Sequence, residues 1–422
     1  MGAAVKIGPV RRERRHGLPA VCADVLWEEA GTSPAEIVFS FDDEEGAEPS
    51  DGADAFLIGL FLPALRGGER RIRVEGEVSP RLRDGLRKAA GVLERWYGDG
   101  WAMPSIEAAG GFRARTAAQG AAGAFVSGGL DSLFLVKSHR ERFSRSRPDA
   151  LRLGILIDGL AMVADAATAA KISASSRAAA AAIATASGLP LTIVSTNLLG
   201  HHGDFEFFSR KSHGSMLAAV AQLHAGRIGS AWVAASDDVS TGLGPWGSHP
   251  ALDPLFGTEA VAMIHDGTGY ARAEKARLLA RAPEARDHLF VCFEPPAGGS
   301  SNCGSCEKCL RTMLELLAGG GLAHSRVFPR DVDPASILAL PGVPSFRALS
   351  YYWAPLVEPL RHAGRADLAD AVERRLEMDR RAKSWHADRG WKGRLRRLDR
   401  ALLGGLLLSW RRSRARSGEP RP

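Results

Sequence analysis

Between about residues 106 and 290, short apolar runs alternate with longer stretches whose apolar positions recur at helical spacing. The runs at 123–126, 151–157, 191–196 and 230–235 are short, rich in Val, Ile, Leu and Ala, and bounded by turn residues, which predicts strands buried on both faces. Between the second and third, the alanine-rich stretch 166–187 runs into Gly188-Leu189-Pro190 and predicts a helix with a firm stop. Strand–helix alternation implies right-handed crossovers and a parallel sheet, hence an α/β fold. In such sheets ligands sit beyond the carboxyl ends of the strands. That selects Ser127-Gly128-Gly129, Asp158-Gly159, Thr196-Asn197 and Ser236-Asp237-Asp238 as one rim.

The chain before this block reads differently. Residues 36–41 read as a strand and 71–76 alternate as one, 56–65 are apolar and helical, and Ser79-Pro80 opens a helix through about Tyr97. This predicts a small α+β domain over 1–105, serving substrate recognition or dimerisation with a second copy of the chain. The α/β block is expected to span 106–320, followed by a helical extension over 321–379 and a basic tail over 380–422.

The 422 residues, 45% apolar, suffice for two or three domains with full cores. No apolar run reaches the roughly 20 residues that cross a bilayer. The first residues lack a signal-peptide pattern, and Lys6 stands where a myristoylation signal carries Ser or Thr, so a cytoplasmic location is expected. The net charge of +7 belongs to the tail, where 14 Lys or Arg face three carboxylates. Its leucines at 402–408 among arginines suit an anionic membrane surface or nucleic acid, or simply a solvated tail.

The chemistry starts at Ser127-Gly128-Gly129-Leu130-Asp131-Ser132, where an apolar strand gives way to a helix. Unpaired N–H groups at such a helix start, with the positive end of its dipole, suit phosphate. Glycines let the backbone bend close to a ligand, while the Ser127 and Ser132 hydroxyls add hydrogen bonds. Asp131 either caps the helix or holds a polyphosphate through a cation. Paired carboxylates at Asp237-Asp238 favour Mg²⁺, whereas Asp158-Gly159 reads equally as a plain turn. Arg210, Lys211 and His213 at a second helix start favour a bound anion, or else are solvated loop charges. The Gly/Pro/Trp-rich stretch 241–256 is too long for a plain connector and reads as a lid or substrate wall.

The complete hexamer resembles the pyrophosphate loop of the N-type ATP pyrophosphatases, the adenine nucleotide alpha-hydrolase-like group with a HUP, Rossmann-like fold. Separately, Cys292, Cys303, Cys306 and Cys309 have the spacing of a four-thiolate metal site. Zinc fits best, with an iron–sulfur cluster as the competitor. Lys308 and Arg311 can offset its charge. Loop and thiols together, in this order, resemble the 7-cyano-7-deazaguanine synthases. The matching stretches are 127–132, 210–217, 236–241 and 292–309. The acceptor-side stretches depart, with Pro245-Trp246-Gly247-Ser248-His249-Pro250 in place of the family's Tyr-Pro-Asp-Cys-Arg.

The resemblance implies ATP, Mg²⁺ and a structural Zn²⁺. It implies adenylation of a carboxylate or carbonyl oxygen of a small molecule, then attack by ammonia or an amine. A glutaminase of the type that begins with Cys after the initiator Met is not expected, because position 2 is Gly2. Two rivals remain: sulfur transfer, as in tRNA thiolation, for which Cys22 is the one spare thiol, and a non-catalytic nucleotide-binding module.

Overall fold

The computed structural model describes residues 4–28, 35–43, 45–116, 120–160, 165–296, 302–340 and 349–387, together with Asp399. Most of the basic tail, including Trp391 and the leucines at 402–408, lies outside the described residues.

Among the described residues one sheet gathers β1 (Ala4–Ile7), β2 (Arg11–Arg15), β3 (Leu18–Trp27), β4 (Ala35–Asp43), β5 (Arg71–Val74), β6 (Ser105–Ala108), β7 (Ala122–Phe125), β8 (Leu151–Asp158), β9 (Leu191–Thr196), β10 (Ser230–Ala234) and β11 (Ala262–Asp266). Their order is β11-β10-β7-β8-β9-β4-β3-β1-β5-β6, with β2 paired to β3. The four strands expected between 123 and 235 are present and parallel to one another. β11 extends them, also parallel. The fold is thus α/β, with a large, mostly parallel sheet compatible with a Rossmann-like domain.

The N-terminal segment does not stand apart. Antiparallel β4 joins β9, with Phe39 opposite Thr196 and Asp43 opposite Thr192, so the hydrogen bonding runs through from one half to the other. Helix α1 (Asp54–Gly67) explains the union: it is apolar all round and buried from Asp54 to Leu65, so it needs partners on every side. It packs against the helix His213–Gln222 of the parallel half, and both halves feed one core that reaches from Val5 to Met263. Helix α2 (Pro80–Tyr97) begins as its sequence predicts, with Ser79 Oγ accepting from Leu82 N at 3.0 Å.

By compactness the chain divides into residues 1–331 and 332–422, so the expected boundary near 105 falls inside the first unit. The second unit is helical where described, through Pro334–Ala339, Leu349–Trp353, Val357–His362 and Ala366–Ala387, with Trp353 fully buried. Among the described residues no helix is long and apolar enough to cross a membrane.

Candidate functional site

β7 and β10 lie side by side although two strands separate them in sequence: β8 and β9 continue to one side of β7, β10 and β11 to the other. A reversal of this kind splays the loops that leave the two strands and opens a crevice at their carboxyl ends. A cavity of about 270 Å³ occupies that crevice. Its wall includes Ser127, Gly129, Leu130, Asp131 and Ser132 from the loop after β7, and Ser236 and Asp237 from the end of β10.

The loop is held by its own side chains. Gly128 has φ +81, and a Cβ there would lie 2.7 Å from Ala179 Cβ, so no other residue fits without strain. Ser132 Oγ lies 3.3 Å from Ser127 N and 3.2 Å from Ser127 Oγ, and donates to Gly129 O at 3.0 Å. Helix α3 (Leu130–Arg142) starts with Gly129 as its cap residue and no side-chain cap. The N–H groups of its first turn lack the intrahelical partners of later turns, and Leu130, Asp131 and Ser132, which carry them, line the cavity.

Asp131 is in the first turn of α3 rather than at the cap. It is bound to Arg272, with Lys275 Nζ at 3.5 Å. Burial pushes its carboxyl up, but Arg272, Lys275, Arg311 and Lys308 outweigh burial and hold it below the ordinary range. Arg272 also reaches Glu315 at 3.1 Å, and Lys275, almost fully buried, donates to Ala235 O at 2.6 Å. Arg272 and Lys308 both line the cavity beside the loop and bring positive charge to that side. Burial, then Arg272 and Arg311, push Lys308 down to about 8.

The wall opposite the loop comes from the stretch 241–256, through Leu243, Trp246, Ser248, His249 and Pro250. Gly247 backs onto the start of the helix His213–Gln222, accepting from Gly214 N at 2.9 Å. A Cβ on Gly247 would meet Lys211 N and Ser209 O at 2.9 Å. From the N-terminal half, Trp96 packs edge-on to the His249 ring at 4.8 Å. Behind this wall lies a dyad that sequence reading missed. His265, at the end of β11, lines the cavity and places Nδ1 2.7 Å from Oδ2 of the fully buried Asp253, which also accepts from Ser248 Oγ at 2.7 Å. An imidazole fixed by a carboxylate at one nitrogen presents the other for proton transfer.

Several expected site residues lie elsewhere. Asp158 faces Arg177 at 2.9 Å and Ser173, and accepts from Gly159 N at 2.8 Å; neither Asp158 nor Gly159 lines the cavity. Asp238 turns inward to cap Ser240, leaving Asp237 as the member of the acidic pair on the wall. Arg210 and Lys211 are drawn away by Glu206 and by Asp99, at 3.3 and 2.5 Å, and by the ring of Tyr97, so of that helix start only His213 reaches the cavity. Cys22 is fully buried on β3, in the other half of the sheet, and burial raises its thiol; it is a poor candidate for sulfur chemistry.

Cys292, Cys303, Cys306 and Cys309 converge, with their sulfurs all within 4.8 Å of one another. The pairs Cys292–Cys306 and Cys303–Cys309 stand 4.0 and 3.8 Å apart. These spacings are too long for a disulfide and match the roughly 3.8 Å edge of a tetrahedron with bonds of about 2.3 Å. Backbone N–H groups of Glu294, Ser305 and Cys306 donate to the sulfurs at 3.2 to 3.4 Å, the support a thiolate needs. Such a set can hold a metal ion such as zinc. The cluster abuts the loop, since Phe290 N donates to Gly128 O at 2.9 Å, and Lys308 reaches the cavity from the helix Glu307–Ala318 that carries Cys309.

A larger cavity, about 490 Å³, opens at the amino ends of the same strands, and none of the expected site residues lines it. No protein-family model, no curated protein and no solved structure matches the chain.

Proposed function

We propose that the protein is an ATP-dependent, AMP-forming enzyme that joins nitrogen to a small carboxylate- or carbonyl-bearing metabolite, on the plan of the N-type ATP pyrophosphatases and nearest to 7-cyano-7-deazaguanine synthase. The observation that carries this reading is the hexamer at 127–132 on the wall of a cavity at the strand-order reversal, its helix start flanked by Arg272 and Lys308. The loop N–H groups and these cations hold a triphosphate, and Asp131 and Asp237 are the carboxylates for Mg²⁺. An acceptor oxygen attacks the α-phosphorus and pyrophosphate leaves. Ammonia or an amine then attacks the activated carbon and AMP departs. Nε2 of His265, aligned by Asp253, takes the proton that the nitrogen gives up. Catalysis is mainly positioning and charge stabilisation. Zinc on the four cysteines is structural, because four thiolates leave no open position.

Calorimetry with ATP and Mg²⁺, coupled to pyrophosphate assay across a panel of small carboxylates, tests the reading. The wild type should bind ATP and release pyrophosphate with one acceptor class. Asp131→Asn should weaken binding at least about tenfold. His265→Asn should leave ATP binding intact and slow product formation about 10²- to 10⁴-fold. No heat with ATP would overturn the proposal, and binding without turnover on any acceptor would reassign the protein as a nucleotide-binding module.

A further inference from the structure

The cavity at the amino ends of β7, β8 and β9 is lined by four arginines, Arg140, Arg145, Arg152 and Arg227, against a single carboxylate, Glu45. Glu45 is already bound to Arg227 at 2.5 Å, and Arg227 is also bound to Asp43. Three guanidiniums are left facing one space of about 490 Å³.

Their neighbours outside the cavity behave otherwise. Arg142 binds Asp266, and Arg147 binds Asp149 at 2.8 Å. Of the three inside, among the described residues Arg145 donates only to Ser187 O at 3.4 Å and Arg152 only to Arg145 O at 2.6 Å. Arg140 has no hydrogen-bond or ion-pair partner among the described residues, and its Nε is buried. The nearby Glu284 is bound to Lys137 at 3.1 Å. Burial, then Arg145, push the Arg140 guanidinium down from its ordinary value.

The attraction of cations to helix carboxyl ends explains why arginines follow α3, but not why those with carboxylate partners turn outward and those without turn inward. Cations converging on one space repel one another unless an anion joins them; Arg145 and Arg152 are exposed, whereas Arg140, with its Nε buried, is partly desolvated as well. Guanidiniums suit phosphate oxygens in particular, through paired N–H donors. The remaining wall, from Leu151, Leu153 and Pro190, is apolar and fits a ring rather than a bare ion.

We propose that this amino-end cavity is a second ligand site, which takes a small phosphate ester with its phosphate on Arg140, Arg145 and Arg152 and its ring against Leu151 and Pro190. The ends of β7 and β8 separate it from the candidate nucleotide loop by roughly 17 to 25 Å, from the rise per residue of a strand. It stands whether or not that loop binds ATP.

The test is calorimetry on the full chain with AMP and with inorganic pyrophosphate, in wild type, Arg140→Gln/Arg152→Gln, Arg145→Gln and Asp131→Asn, each checked for folding by circular dichroism. A binding component should survive in Asp131→Asn, weaken about a hundredfold in Arg140→Gln/Arg152→Gln, and weaken about tenfold in Arg145→Gln. Arg145 is exposed, so its variant folds even where the double variant fails. Unchanged binding in the arginine variants, or loss of all binding in Asp131→Asn, would overturn the proposal. So would binding of a single-stranded RNA with no binding of AMP or pyrophosphate, which would make the arginines a macromolecular contact.

Discussion

Two helix starts in this protein carry groups suited to an anion, and only one presents them to the cavity. At α3 the donors belong to the backbone: the first-turn residues Leu130, Asp131 and Ser132 line the cavity, following the chain's bend at Gly128. At the helix His213–Gln222 the cations belong to long side chains, which fold back on Glu206, Asp99 and the Tyr97 ring. Its N–H groups are already taken as well. His213 N donates to Phe208 O through a wide turn over Phe208–Ser212, and Gly214 N donates to Gly247 O at 2.9 Å. A helix start is therefore available to a ligand when its amides lack protein partners, whatever charges precede it.

The strongest way to separate the two starts is acid. His202 is fully buried with Nδ1 2.8 Å from Ser212 Oγ at the second start, and burial pushes it down to about 3. Its depressed value means that the unfolded chain takes up a proton below about pH 6.5 that the native protein refuses until about pH 3. The stability it contributes is present above pH 6.5 and is lost as pH falls through that window, on the order of 5 kcal/mol in all. Buried His139 and His224, each pushed down to about 4, act in the same direction elsewhere. Near pH 5, His202→Asn should therefore reduce the slope of stability against pH by about 1.4 kcal/mol per pH unit, measured by urea unfolding.

A smaller effect is expected at the first start. Gly128→Ala combines positive φ with a 2.7 Å approach to Ala179 and should cost about 1–3 kcal/mol of stability. ATP affinity should fall about a hundredfold as the amides swing away. Smallest is Lys211→Ala, which removes a largely buried ion pair outside the cavity. A loss of about 1 kcal/mol in thermal unfolding, with ATP affinity unchanged, is expected. A large affinity loss in Lys211→Ala would erase the distinction between the two starts.

What the sequence revealed follows the same division between backbone and side chain. Strands buried on both faces write themselves as unbroken apolar runs, which is why β7 to β10 were legible, and the Ser79 cap and the four-cysteine spacing are equally local signals. β2 reads Arg-Arg-Glu-Arg-Arg and carries no apolar signal at all. Pairing with β3 and ion pairs from Arg11 and Arg15 to Asp24, Glu13 and Glu36 hold it. His265 and Asp253 belong to no motif, because a strand end and a short turn bring them together. The apolar run over residues 260–264 is the local signal that β11 does carry. Arg272 and Lys275 were visible as one turn of a helix, but not as the partners of Asp131, 141 positions away in sequence for Arg272. The continuity of the sheet was hidden for a related reason: β4 looks like an ordinary strand until β9 is beside it.

Helix α1 has a practical corollary for anyone trimming this chain. Removing residues 1–105 to isolate the parallel half would strip its cover from the inner face of the helix His213–Gln222 and leave a greasy trench open to water. Such a fragment should come out of cells as inclusion bodies, so any minimal active form has to begin upstream of α1.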